Sequence, residues 1–140
     1  MLPNIDINLI SVLIAAIVGM ALGALWYSPL MFGNLWIKLS GMNKKDIEKA
    51  KAKGMSKAYL ANFIAVIITA YVLSYLISLT QVIAIGEGIL LSVMLWIGFV
   101  APVILGSVLW EKKPVGLYIL NVTYYLVQLI IMGIILVSWR

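Results

Sequence analysis

Asn62 and Thr69 stand seven residues apart in one apolar stretch of this chain, and Asn121 and Gln128 stand seven apart in another, with Tyr124 and Tyr125 between them. Seven residues is about two turns of helix, so each pair shares a face. Amides, a threonine hydroxyl and tyrosine phenols form hydrogen bonds without carrying charge at neutral pH. Inside a membrane such groups face protein or water, because an amide turned toward lipid goes unpaired. Two roles fit them: glue between helices, or the lining of a polar site for a small solute.

Nothing beside them suits acid–base or nucleophilic work. The five carboxylates, Asp6, Asp46, Glu48, Glu87 and Glu111, lie at the ends of apolar stretches or between them, and no Lys or Arg lies inside a stretch. The chain has no His, the residue most used for metals and for proton transfer near neutrality, and no Cys, which removes disulfide and thiolate chemistry. Ser28, Ser56 and the serines within the stretches lack triad partners. No catalytic, metal or cofactor site is therefore expected, and the chain does not read as an enzyme. Proton-coupled pumps need an ionisable group at depth, where burial couples protonation to substrate. Small four-helix multidrug exchangers carry a Glu in their first span, whereas here no carboxylate, Lys or Arg lies between Asp6 and Lys38.

The elements that must position these residues are membrane spans. Four apolar stretches, about residues 7–27, 58–79, 87–110 and 115–138, can each cross a ~30 Å hydrocarbon core as a helix. At 64% hydrophobic and 11% charged, a chain of 140 residues with four spans has room for a single membrane domain. The leader Met1–Asn8 carries Asp6 and no cation, the reverse of a signal sequence, so the first stretch reads as a span. Seven lysines fall in loop 28–57 and two, Lys112 and Lys113, in the third loop, out of ten basic residues. Cationic loops resist translocation, so both termini are expected outside and both basic loops in the cytoplasm of a prokaryotic cell membrane. That bias also argues against small fluoride channels, which insert in both orientations. The formal charge of +5 points to anionic lipid headgroups rather than nucleic acid, with Lys44, Lys45, Lys49, Lys51 and Lys53 as headgroup contacts.

Along the chain, Ala15, Gly19 and Gly23 form a small-residue stripe that lets another helix approach closely. Trp26 and Tyr27 suit the headgroup level, and Ser28-Pro29 reads as an N-cap followed by proline. Residues 29–40 are then a short interfacial helix with Phe32, Leu35, Trp36 and Leu39 on its apolar face, or else a kinked continuation of span one. Asn43 caps a second helix, Lys44–Lys53, that stops at Gly54 and is either a charged connector or a lipid-binding element. In span three Gly98, Pro102 and Gly106 lie four apart; Pro102 cannot donate to the carbonyl of Gly98 and should kink the helix. Trp96 reads as packing or as the wall of an aromatic cavity. Trp110 and Glu111 mark the interface, Glu111 as an ion pair or as a gate, while Glu87 suits the start of span three as a cap.

Spans one and three end alike, in Gly23-Ala-Leu-Trp26…Pro29 and Gly106-Ser-Val-Leu-Trp110…Pro114. Spans two and four open alike, in Tyr59-Leu-Ala-Asn62 and Tyr118-Ile-Leu-Asn121. The pattern suggests two hairpins related by an axis along the membrane normal, or merely the shared composition of membrane helices.

The block Gly23-Ala-Leu-Trp-Tyr-Ser-Pro-Leu-Met-Phe-Gly33…Trp36, with Trp96-Ile-Gly-Phe-Val100, Leu109-Trp-Glu111 and Asn121…Tyr124, resembles a bacterial and archaeal membrane family catalogued as domain of unknown function 1761. The resemblance covers nearly the whole chain. It implies a four-span architecture and importance for Trp26, Tyr27, Ser28, Pro29 and Gly33, and it brings no reaction, substrate or cofactor. The expectation is an all-α integral membrane bundle of four helices with an interfacial helix after span one. It would act as a homo-oligomeric permeation or small-solute transport unit, or alternatively as a non-catalytic lipid-binding or assembly protein.

Overall fold

The computed structural model describes residues 2–140; Met1, the first residue of the leader, lies outside them, and among the described residues there is helix and no strand. Eight helices follow in order: α1 (Leu9–Trp26), α2 (Gly33–Ser40), α3 (Lys44–Ala52), α4 (Ser56–Leu79), α5 (Ile85–Phe99), α6 (Ala101–Ile104), α7 (Gly106–Leu109) and α8 (Val115–Ser138). α1, α4, the α5–α7 run and α8 are long and apolar enough to cross a membrane. The protein is a multi-pass four-helix membrane bundle.

α8 is the central helix. It packs on α1, α4 and α5, whereas α4 and α5 barely meet. Its buried residues run from Leu117 to Val137, while α5 buries only Gly88 and Ser92. The α5–α8 seam is close because glycines leave room: a Cβ on Gly88 would stand 2.6 Å from Cγ2 of Val137, and one on Gly133 would collide with the Ser92 hydroxyl. That hydroxyl donates to the carbonyls of Gly88 (2.9 Å) and Leu129 (3.1 Å), so its polarity is satisfied in the dry seam.

The stripe Ala15, Gly19 and Gly23 is used inside the protomer. Ala15 is fully buried, a Cβ on Gly19 would stand 3.2 Å from both Met132 and Val66, and one on Gly23 would stand 2.6 Å from the Tyr124 hydroxyl. In span three the small residues are placed differently. Gly98 and Pro102 are exposed, and open space surrounds the Cβ position of Gly98. At Gly106 a Cβ would meet only the Trp110 ring, at 3.7 Å. The close approach in this span comes from Gly88 instead.

Pro102 does more than kink its span. α5 ends at Phe99, Val100 departs from helical geometry (φ −115, ψ −62), and two single turns, α6 and α7, carry the chain onward. Proline offers no N–H to Gly98, and its ring crowds the preceding turn. Tyr118 of α8 donates to the carbonyl of Ala101 (2.7 Å), and Trp96 Nε1 donates to the carbonyl of Val122 (2.7 Å), so side chains pin both flanks of the break to the central helix.

The interfacial helix starts later than the Ser-Pro signal suggests. Ser28 does not cap it; its hydroxyl donates back to the carbonyl of Leu25 (2.6 Å). A tight reversal intervenes, closed by Phe32 N to Trp26 O and Gly33 N to Ser28 O, both 2.9 Å. Gly33 is required there, since a Cβ would stand 2.5 Å from the Tyr27 carbonyl oxygen and 2.7 Å from the Ser28 carbonyl carbon. With that start, Phe32, Trp36 and Leu39 pack toward the bundle and Leu35, 44% exposed, turns away.

α3 has the expected capping box, with Asp46 N donating to Asn43 Oδ1 (2.9 Å) and Asn43 N to Asp46 Oδ2 (3.2 Å). No α3 residue is buried, and Gly41 (φ 74) and Gly54 (φ 80) flank the helix in left-handed conformations that glycine adopts without strain. Glu87 accepts from Ile83 N (3.2 Å) and Ala84 N (3.4 Å), which accounts for it as a cap. Glu111 pairs with Lys113 at 3.8 Å in an exposed contact.

Candidate functional site

Thr80–Ala84 ties α4 to α5 at one end of the bundle, and toward the other end the two spans separate. Between them lies a cleft of about 760 Å³. One wall is α4, from Tyr59 to Thr69; the other is the broken span at Phe99, Val100 and Ile104. α1, through Met20, Gly23, Ala24 and Tyr27, and α8, from Tyr124 to Leu129, form the floor. The volume is in the range of small-ligand sites.

The cleft brings together five of the six polar residues singled out from the sequence: Asn62, Thr69, Tyr124, Tyr125 and Gln128. Their roles differ. Gln128, 4% exposed, lies at the bottom; its Nε2 donates to the Gly19 carbonyl (3.3 Å) and to the Tyr124 hydroxyl (2.8 Å). The Gly19 carbonyl can only accept, which fixes the amide with its nitrogen inward. Tyr124, 6% exposed, also reaches the Gly19 carbonyl (3.4 Å) and stacks near Trp26, Tyr27 and Tyr125, with centroids 6.1, 5.3 and 5.2 Å away. Tyr125 is partly exposed along the floor. On the wall, Asn62 is exposed, and its Nδ2 points at the weak acceptor Sδ of Met20 (3.1 Å). Thr69 is exposed too, its hydroxyl donating to the Ala65 carbonyl of its own helix (3.0 Å).

Asn121 lies outside the lining. It accepts from the Tyr27 hydroxyl (2.7 Å) and so holds a polar lining residue whose place beside Trp26 in the sequence suits the headgroup level. The available signal was spacing: Tyr27 follows Gly19 and Gly23 on the same stripe. Trp26 is buried among Phe32, Leu120 and Tyr124, 4.6 Å from the Phe32 ring, and its indole N–H has no partner. Trp36 flanks Tyr27 edge-on at 6.3 Å, and Trp110 is 84% exposed at the end of the broken span. The Gly23–Gly33 block therefore builds the reversal after α1 and supplies part of the cleft floor.

The far half of the bundle is closed. Val12, Ala15, Ala70, Leu73, Ile77, Met132 and Leu136 are buried in one continuous apolar cluster beyond the cleft. Open on one side and sealed on the other, the cavity offers uncharged hydrogen-bonding groups on an apolar wall. Among the described residues no group of His, Cys, Asp or Glu could hold a metal ion.

A family model described as a protein of unknown function (DUF1761) matches residues 10–137, nearly the whole chain. No curated protein and no solved structure matches it.

Proposed function

The chain belongs to the DUF1761 family, and we propose that it is a non-enzymatic membrane transport unit whose cleft takes up an uncharged hydrogen-bonding molecule. The observation carrying this reading is the gathering of Asn62, Thr69, Tyr124, Tyr125 and Gln128 in one cavity beside a broken span. A discontinuous helix at membrane depth is tolerated where it lines a cavity, and transporters use such helices to build binding sites. The packed half beyond the cleft favours a carrier that opens to one side at a time over a continuous pore. With the lysine-rich loop placed in the cytoplasm of a prokaryotic cell membrane, the cleft opens to the cytoplasmic side and both termini lie outside. The cleft is formed within one protomer, so a homo-oligomer is not needed to complete it, and the α1 stripe is already occupied.

A second reading has its own observation. α3 stands clear of the bundle with Lys44, Lys45, Lys49, Lys51 and Lys53 on a helix without buried residues, as a contact for anionic headgroups would. Lipid attachment through α3 is compatible with transport through the cleft, and it replaces transport as the function if the cleft is dry.

The absence of cysteine makes the test clean. Thr69→Cys and Asn62→Cys, reconstituted in vesicles, are expected to react with a membrane-impermeant thiol reagent from the side of the lysine loop. Ser74→Cys, in the packed half, is expected to react far more slowly. Cleft cysteines as slow as the one at position 74 from either side would mean that water never reaches the wall, and the transport reading would be dropped.

A further inference from the structure

We propose that the occupant of the cleft is an uncharged amphiphile that enters sideways from the bilayer and donates an O–H or N–H to Gln128 Oε1; this rests on the reading of the cleft as a binding site. Gln128 spends its nitrogen on Gly19 and Tyr124, and among the described residues no donor reaches its oxygen. Trp26 Nε1 is the only buried side-chain polar atom sealed without a partner among those residues, so Oε1 is not sealed and opens onto the cleft it lines. An amide oxygen held at the bottom of an apolar cavity is an unmet acceptor. It calls for a donor.

Three observations set the rest of the chemistry. No charged side chain lines the cavity, so a charged head would be desolvated without compensation. Phe99, Val100, Ile104, Val66 and Leu129 offer an apolar bed for a hydrocarbon body. Finally, α4 and the broken span barely meet, so beside its cytoplasmic opening the cleft has a lateral gap between them toward the membrane interior, where such a body is already dissolved.

The test is native mass spectrometry of the full chain released from nanodiscs, offered dioleoylglycerol and its acetate ester at equal concentration. The ester keeps the body and lacks the donor. Leaving a buried acceptor unpaired is expected to disfavour the ester about tenfold. Ala65→Trp is the companion variant, since Ala65 is exposed on the cleft wall and the indole fills the cavity without entering the core; it is expected to abolish both adducts. Equal binding of alcohol and ester, lost in Ala65→Trp, would overturn head recognition while the cleft remains a site. Adducts that survive Ala65→Trp lie elsewhere and would overturn both readings. If neither lipid binds the wild-type chain, the amphiphile is wrong, and the cysteine reactivities still decide the transport reading. Excess glycerol, the same head without a body, is expected to leave the adduct in place; displacement would move the ligand to the water-soluble class and overturn entry from the bilayer.

Discussion

α4 and α8 each carry two polar residues seven apart, yet the two pairs end in opposite surroundings. On α8, Gln128 is buried against the Gly19 carbonyl and Tyr124, and Asn121 accepts from Tyr27 of the α1 end. On α4, Asn62 and Thr69 stand exposed on a cleft wall, one touching a methionine sulfur and the other bonded within its own helix. Periodicity places residues on a common face; what that face meets depends on the helix's place in the bundle. α8 is surrounded by three spans, whereas α4 lies at the edge, parted from the broken span. The same amide chemistry is cohesion in one position and an available surface in the other.

The sharpest way to break this contrast is Gln128→Leu. It removes one interhelical hydrogen bond, to the Gly19 carbonyl, and one within α8, to Tyr124, whose hydroxyl keeps only its long contact to Gly19. At roughly 0.6–2 kcal/mol for the interhelical bond, with the buried Tyr124 hydroxyl left under-bonded as well, a loss of about 2 kcal/mol is expected in reversible unfolding in detergent or bilayers. A stability equal to wild type would mean that the α8 pair is no more structural than the α4 pair.

The next effect is smaller and compares the two asparagines directly. Asn121→Leu frees the Tyr27 hydroxyl and is expected to cost about 1 kcal/mol, whereas Asn62→Leu, which loses only a sulfur contact on an exposed wall, is expected to change stability by under about 0.5 kcal/mol. A cycle with Tyr27→Phe isolates the pair: coupling of about 1 kcal/mol is expected between positions 27 and 121 and none between 27 and 62. Coupling absent at both would place the Tyr27 hydroxyl with solvent or ligand instead of Asn121.

Much of this architecture was legible because it follows from local rules. Length and apolarity set the four spans, Asn43 and Glu87 cap as their types require, and Pro102 interrupts the helix where its missing N–H demands. Helical spacing also puts Asn62 with Thr69, and Tyr124 with Gln128, on common faces, whereas their meeting in one cleft follows from the packing of α4 and α8. Features made by distant chain segments were not legible. The Ser28-Pro29 pair has the form of a helix start, but the chain first reverses to lay Phe32 on Trp26, and only the crowding of Gly33 against the Tyr27 carbonyl records that need. Glycines at 88 and 133 lie in different spans, and their close seam appears only once α5 and α8 are side by side. Gly98 has the same composition-level signal and faces open space. Small residues permit an approach without saying which neighbour makes it.

Thr69→Val gives the smallest expected change and separates stability from use most cleanly. The hydroxyl donates to the Ala65 carbonyl, which already serves the α4 helix, so its removal leaves no orphaned backbone group. Valine keeps the shape and β-branching and turns one polar point of an exposed wall apolar. Unfolding free energy is expected within about 0.5 kcal/mol of wild type. Reactivity of a cysteine at position 62, read with the same impermeant reagent, is expected to fall, because the two residues line one wall and hydration of a narrow cleft depends on each polar point along it. A stability loss of Gln128 size would move Thr69 into the cohesive class with the α8 pair. Unchanged reactivity at 62 would mean that water reaches the wall without help from Thr69, leaving the floor tyrosines to hold it.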